Sequence, residues 1–194
     1  MNLADTKQFI VSTLRSELSP TLYYHGLHHV LDVVDAADRI ARAECVTDAE
    51  SLDLLKTAAL FHDVGFLSTY KGHEEAGCDY VRRVLPSFGY TPAQISDICG
   101  MIMATQIPQT PQTKLEEILC DADLDYLGRD DFEPIAHSLY NELKARDMVA
   151  DEGAWNRIQV SFLGSHRYWT PTAIATRQAV KEQHLDALKA STGL

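Results

Sequence analysis

Long apolar runs are missing from this sequence. The longest stretches, such as "LLKTAALF", meet a charge within a few residues, far short of the ~18–20 apolar residues that a bilayer span needs. No membrane association is expected. The opening segment, "MNLADTKQFIVSTLRSEL", mixes polar and apolar positions and holds no signal-peptide core. Positive charge is scarce as well: 17 Lys and Arg stand against 28 Asp and Glu, for a net charge of -11. A nucleic-acid polymer asks for a basic face, so no such partner is expected. A small phosphorylated ligand stays open, because a local patch or a bound cation can reverse the sign. Cysteine is limited to Cys45, Cys78, Cys99 and Cys120, with no CxxC pair. Each falls in an apolar-periodic stretch, which suits buried free thiols in a reducing compartment. A cytoplasmic location is the expectation. Internal repeats, low-complexity blocks and linkers are absent, and so is any convincing run of alternating β-branched residues.

What is present is helical periodicity. The 194 residues, 45% apolar and 23% charged, suit a single domain with one sizeable core. Phe9, Ile10, Leu14 and Leu18 share a face over 5–18, and Val30, Val33, Val34, Ala37, Ile40 and Ala41 share one over about 28–44. "TDAE" at 47–50 reads as a capping box, with Thr47 as cap and Glu50 reaching back, opening a helix that runs to about Val64 with Gly65 as its C′ residue. A helix over about 73–85 stops before Pro86, and "TPAQ" at 91–94 starts the next, with Thr91 as cap and Gln94 closing the box. Further helices are expected near 114–127, closed by Gly128, and near 131–146, 151–165 and 171–190. The fold class is therefore all-α, a multi-helix bundle. Its motif core would span about 22–128, with the C-terminal helices packed on it.

The chemistry-bearing residues cluster. Five of eight histidines lie within 25–73. His29 precedes Val33 by one turn and shares its apolar face, whereas His28 is on the polar side. His62 continues the stripe of Leu55 and Ala59. Asp63 follows at the helix C-terminus, where a carboxylate opposes the helix dipole unless a cation offsets it. In "ILCDADLDYLG" a calcium loop fails, since its sixth position is Tyr126 and its twelfth Phe132. Read as a helix, the segment puts Asp123 at the rim of the apolar face and Asp121 and Asp125 toward the other flank. Imidazole with carboxylate suits Mn, Fe, Zn, Co or Mg. His137 and His184 sit among polar residues and read as surface.

The order His29, His62-Asp63, Asp123 resembles the H…HD…D signature of the HD-domain metal-dependent phosphohydrolases, carried by "YHGLHHVLDVV", "LFHDVGF" and "LCDADLDYLG". The resemblance implies that His29, His62, Asp63 and Asp123 hold a divalent metal. It also implies that the protein cleaves a phosphoester or phosphoanhydride of a small molecule, a nucleotide first, through a metal-activated water. "YHGLHHVLDV" is similar to the Y-H-N-x-x-H-A-x-D-V pattern of cyclic-nucleotide phosphodiesterases, which puts His25 on the histidine that protonates the leaving oxygen. Their second motif, HD followed closely by another His, is absent, so a cyclic nucleotide is not implied.

His73 and Glu74 match the position where relatives place a further His, for a second ion or for the substrate, and His73 is an alternative acid to His25. Relatives with paired metals carry one more His where this chain has Thr105, which counts against a full two-ion site and against an HD-fold iron oxygenase. Lys71, Arg129, His166 and Arg167 are candidates for holding a phosphate. A regulatory or metal-binding module without turnover, the iron oxygenase, and a homodimer stay open alternatives.

Overall fold

The computed structural model describes residues 1–193. Each apolar stripe becomes a helix: α1 (Leu3–Glu17), α2 (Leu27–Ala43), α3 (Ala49–Phe61), α4 (His73–Val84), α5 (Pro92–Ala104), α6 (Lys114–Asp123), α7 (Phe132–Lys144), α8 (Glu152–Ser165) and α9 (Pro171–Thr192). Among the described residues there is no strand, so the all-α expectation holds. None of these helices is long and apolar enough to cross a membrane.

The central element is α3. Seven of its last eight residues, Leu54, Leu55 and Thr57 through Phe61, are buried, because α1, α2, α5 and α6 surround it. Thr57 is the polar exception within that run. Its hydroxyl bonds to Asp53 O and to Tyr90 OH, both at 2.8 Å, which satisfies the buried groups. A second core forms where α7, α8 and α9 close over Tyr24, Leu124, Tyr126 and Leu127. Apart from Tyr24, this second core begins at Leu124, directly after α6.

Several boundaries differ from the sequence reading. Asp48, not Thr47, caps α3, accepting from Ser51 N at 2.8 Å, and Glu50 turns away to accept from Gln94. The Thr91–Gln94 box is present as expected. α3 ends at Phe61, and a 3-10 turn takes over at Val64–Leu67. Gly65 is not a left-handed terminator. A Cβ there would lie 1.9 Å from His73 O, so glycine lets this turn press against the start of α4. α6 likewise ends at Asp123, before a 3-10 turn over Asp125–Gly128. A Cβ on Gly128 would meet Arg177 O of α9 at 2.4 Å. Cys78, Cys99 and Cys120 are buried free thiols, but Cys45 is exposed, at a positive φ of 61° just beyond α2.

Asp121 and Asp125, expected on the outer flank, are buried. The reason is α9, which covers that flank. Asp121 accepts from Trp169 N at 2.9 Å and Thr170 N at 2.7 Å, at the start of α9. Asp125 binds Arg177 Nε at 2.8 Å and Arg39 at 2.7 Å. His184 is also half-buried rather than superficial, stacked on Phe132 and bonded to Arg129 O at 2.9 Å.

Replacing Asp125 by Ala strips two arginines of their shared buried partner. The expected cost is about 2–4 kcal/mol, toward the low end for a broken buried pair because Arg39 and Arg177 reach water. Urea unfolding should show a lower midpoint with an unchanged slope.

Candidate metal centre and adjoining cavity

Three helix termini deliver the site. His29 stands in the first turn of α2, His62 caps the C-terminus of α3 with Asp63 next, and Asp123 is the last residue of α6. The packing of α2, α3 and α6 brings these ends together. His29, His62 and Asp123 each offer a ligand atom within 4.8 Å of the others. His29 Nε2 is 3.1 Å from Asp123 Oδ1 and 3.3 Å from His62 Nε2, which is 3.5 Å from Asp123 Oδ1. Asp63 Oδ2 lies 3.2 Å from His62 Nε2 and 3.6 Å from His29 Nε2. Donors that share one ion at about 2.0–2.2 Å stand roughly 3–3.6 Å apart.

The protonation pattern fits a cation. His62 Nδ1 hydrogen-bonds Ala59 O at 2.8 Å, so in the neutral ring Nδ1 carries the proton and Nε2 turns a lone pair to the centre. Asp63 Oδ2 is buried without a hydrogen-bond partner, an arrangement that costs free energy unless a positive charge meets it. Burial pushes the carboxyls of Asp63 and Asp123 up, but the facing His62 and His29 more than reverse this. Both are held well below the usual carboxylate range. Burial disfavours the His62 cation, and Asp63 and Asp123 outweigh it, so His62 is raised. His29, His62 and Asp123 form the converging group, and Asp63 stands beside it against both imidazoles.

The two other histidines stand beside this set. Phe66, from the turn after Asp63, lies against both rings, 4.3 Å from His25 and 4.0 Å from His73 between centroids. His73 Nε2 is 3.5 Å from Asp63 Oδ1, while its Nδ1 is 3.6 Å from Glu74 Oε2. The two carboxylates thus approach opposite nitrogens of one ring. Among the described residues they form no second converging group like the first. Thr105 faces the same space and donates its hydroxyl to Ile102 O.

His25 rests on a residue that the sequence did not reveal. Glu142 of α7, fully buried, accepts from Tyr24 N at 2.8 Å, His25 N at 3.1 Å and Tyr70 OH at 2.8 Å. It also pairs with His25 Nδ1. Burial raises the Glu142 carboxyl, but His25 and the backbone donors overcome this and bring it down to about 2. Glu142 is therefore an anion that holds the Nδ1–H tautomer of His25 and leaves Nε2 toward the cavity. Tyr24, also unforeseen as a site residue, packs its ring at a tilt with its centroid 4.5 Å from that of His29.

A cavity of about 280 Å³ opens from Asp63 and Asp123 and runs between α7 and α8. His25, His73 and Glu74 line it. The other proposed substrate contacts do not. Lys71 is exposed. Arg129 is engaged by Asp32 at 2.8 Å and Asp131 at 2.7 Å, which ties the start of α7 to α2. Arg167 is exposed and stacks over Trp169 at 4.1 Å. His166 lies behind the wall, held by Lys181 Nζ at 3.3 Å from its Nδ1, and burial with that ammonium pushes it down to about 3.

The conserved-family description of an HD domain matches residues 26–125, half of the chain, including His29, His62, Asp63 and Asp123. The chain belongs to the HD-domain family. The HD match leaves out His25, Glu142 and the α7–α8 wall of the cavity. Solved structures share the HD fold along nearly the whole chain. A predicted HD superfamily hydrolase from an uncultured Thermotogales bacterium is 20% identical, over 97% of this chain and 88% of that one, with a TM-score of 0.58. A Lactobacillus plantarum protein is 18% identical over 97% and 95%, with a TM-score of 0.65. Bacillus subtilis YpgQ, solved in complex with ADP, is 16% identical over 98% and 97%, with a TM-score of 0.63. No curated protein matches the chain.

Proposed function

We propose that this HD-domain protein is a metal-dependent phosphohydrolase, which cleaves a phosphoester or phosphoanhydride of a small molecule by attack of water. The observation that carries the reading is the convergence of His29, His62 and Asp123, with Asp63 against both imidazoles, at the end of a cavity that two further histidines line. In this reading those four residues hold the ion. When bound, a divalent cation polarises the phosphoryl oxygen and lowers the pKa of its water. The Asp63 Oδ1 edge, facing His73, orients the attacking water. His25, as an imidazolium whose Nδ1–H is held by Glu142, gives its Nε2 proton to the leaving oxygen, and His73 is the alternative donor. YpgQ, solved with ADP, shares this fold at 16% identity, which is why ADP belongs in the nucleotide screen.

Elemental analysis of the purified protein, then a phosphoester and nucleotide screen with the metal found, tests the proposal. The expected result is about one equivalent of a divalent ion, with phosphate released in proportion to it. Stoichiometric metal without turnover on any phosphorylated compound would leave a binding module instead.

A further inference from the structure

Beyond the metal group, the cavity has a composition that bears on what the phosphate is attached to. The wall supplied by α7 and α8 is aliphatic and aromatic, with Leu139, Leu143, Trp155, Ile158 and Phe162 its larger members and Gln159 its amide. Among the described residues, no Lys or Arg lines the cavity, and its carboxylates, Asp63, Glu74 and Asp123, gather at the metal end. Two of the large apolar side chains most exposed to water, Ile107 at 54% and Ile158 at 45%, belong to the same lining. The apolar surface is thus continuous from the metal group out to solvent.

We infer that the ligand is a phosphate monoester with a hydrocarbon or aryl body, not a nucleoside di- or triphosphate. The inference rests on the phosphohydrolase reading of the site and narrows its substrate class. A phosphate monoester carries about −1.5 to −2 charge at neutral pH, and all of its oxygens can stay at the metal end, on the ion and the imidazoles of His25 and His73. A second phosphate would lie against leucine and phenylalanine side chains or near Glu74, with no cation to meet it, and a desolvated anion without a counter-charge is strongly disfavoured. A ribose against the α7–α8 wall would likewise set its hydroxyls against one amide, Gln159, because the hydroxyl, imidazole and carboxylate groups of the lining lie outside that wall. An alkyl or aryl body instead exchanges water for Leu139, Leu143 and Phe162, which is favourable in proportion to the area covered. Preferring such a body over a nucleotide is a matter of leaving the wrong ligand's polar groups unpaired.

The test uses metal-loaded full-length protein and two ladders. Ethyl, butyl and hexyl phosphate share nearly the same leaving-group chemistry, so differences in kcat/KM report contact with the body. A rise of about threefold to fourfold per methylene is expected, the value of one buried CH₂, with AMP and ADP below hexyl phosphate. The matching alkylphosphonates, which cannot be hydrolysed, should show the same ladder in calorimetric affinity. Ile158→Lys places an ammonium on a half-exposed position of the lining. It should move the hexyl phosphate to ADP ratio toward ADP by about tenfold or more. Turnover with no dependence on chain length, or with ADP preferred in the unaltered protein, overturns the inference and leaves the hydrolase reading intact. A phosphonate ladder without turnover of any ester supports the inference about the body and removes the hydrolase. Absence of both ladders overturns the inference.

Discussion

Asp63→Ala is expected to lose the metal and the hydrolysis together while the helices persist. Asp63 supplies the buried oxygen that has no hydrogen-bond partner, 3.2 Å from His62 Nε2. Without that carboxylate, two imidazoles and Asp123 remain. The ion then loses one anionic ligand of two, and elemental analysis should find well under a tenth of an equivalent after desalting, where the parent protein keeps about one. Phosphate release should fall to background. The far-ultraviolet circular dichroism should be unchanged, since Asp63 follows α3 and supplies no side-chain cap to the turn that comes after it. A chelator gives an independent readout. It should lower the Tm of the parent, because an ion at 100 times its Kd contributes about 2.7 kcal/mol to folding, and should leave the variant's Tm where it is. Full metal content and full activity in Asp63→Ala would place the centre elsewhere.

His25→Ala should slow hydrolysis of an alkyl phosphate by about 10²–10⁴ and that of p-nitrophenyl phosphate far less, because nitrophenolate leaves without a proton. Metal content should be unchanged. Glu142→Gln should reproduce the leaving-group dependence in weaker form, since the amide can still accept from backbone but no longer fixes the His25 tautomer with a charge. It carries a second signature in stability. The Glu142 carboxyl titrates at about 2 in the folded chain against an ordinary 4.5. A depressed carboxyl stabilises fully above its unfolded value and loses that contribution as pH falls through 4.5 toward 2. The parent should therefore lose more unfolding free energy between pH 5 and pH 2.5 than Glu142→Gln does. Equal acid sensitivity, or an equal loss on both substrates for His25→Ala, would remove this pair from proton transfer.

The sequence made the cluster of His29, His62, Asp63 and Asp123 legible because each member lies at a position that a one-helix argument reaches: an apolar stripe for His29 and His62, a helix end for Asp63, the rim of a stripe for Asp123. Glu142 was out of reach. It lies between the apolar positions of α7, and its partner His25 is 117 residues away, so local periodicity gives no reason to turn it inward. The outer members of "DADLD" failed for a related reason. Their flank of α6 and of the turn after it reads as polar, and what buries it is α9, whose arrival is a tertiary event. The choice between Thr47 and Asp48 as cap depends on backbone angles at two adjacent good capping residues. Arg129, by contrast, looked like a phosphate ligand only while its own carboxylates, Asp32 and Asp131, were unpaired on paper.

Those flanking aspartates have a consequence for where the working unit ends. Asp121 is tied to the amides of Trp169 and Thr170, and Asp125 to Arg177, so the segment that presents Asp123 is gripped on both sides from beyond residue 165. An excised fragment covering only the family-matched stretch would contain His29, His62, Asp63 and Asp123, the four proposed ligands, and lack the splint that aims one of them. Proteolytic trimming or a fusion that lifts the last helix should thus silence the centre from a distance, with no ligand altered.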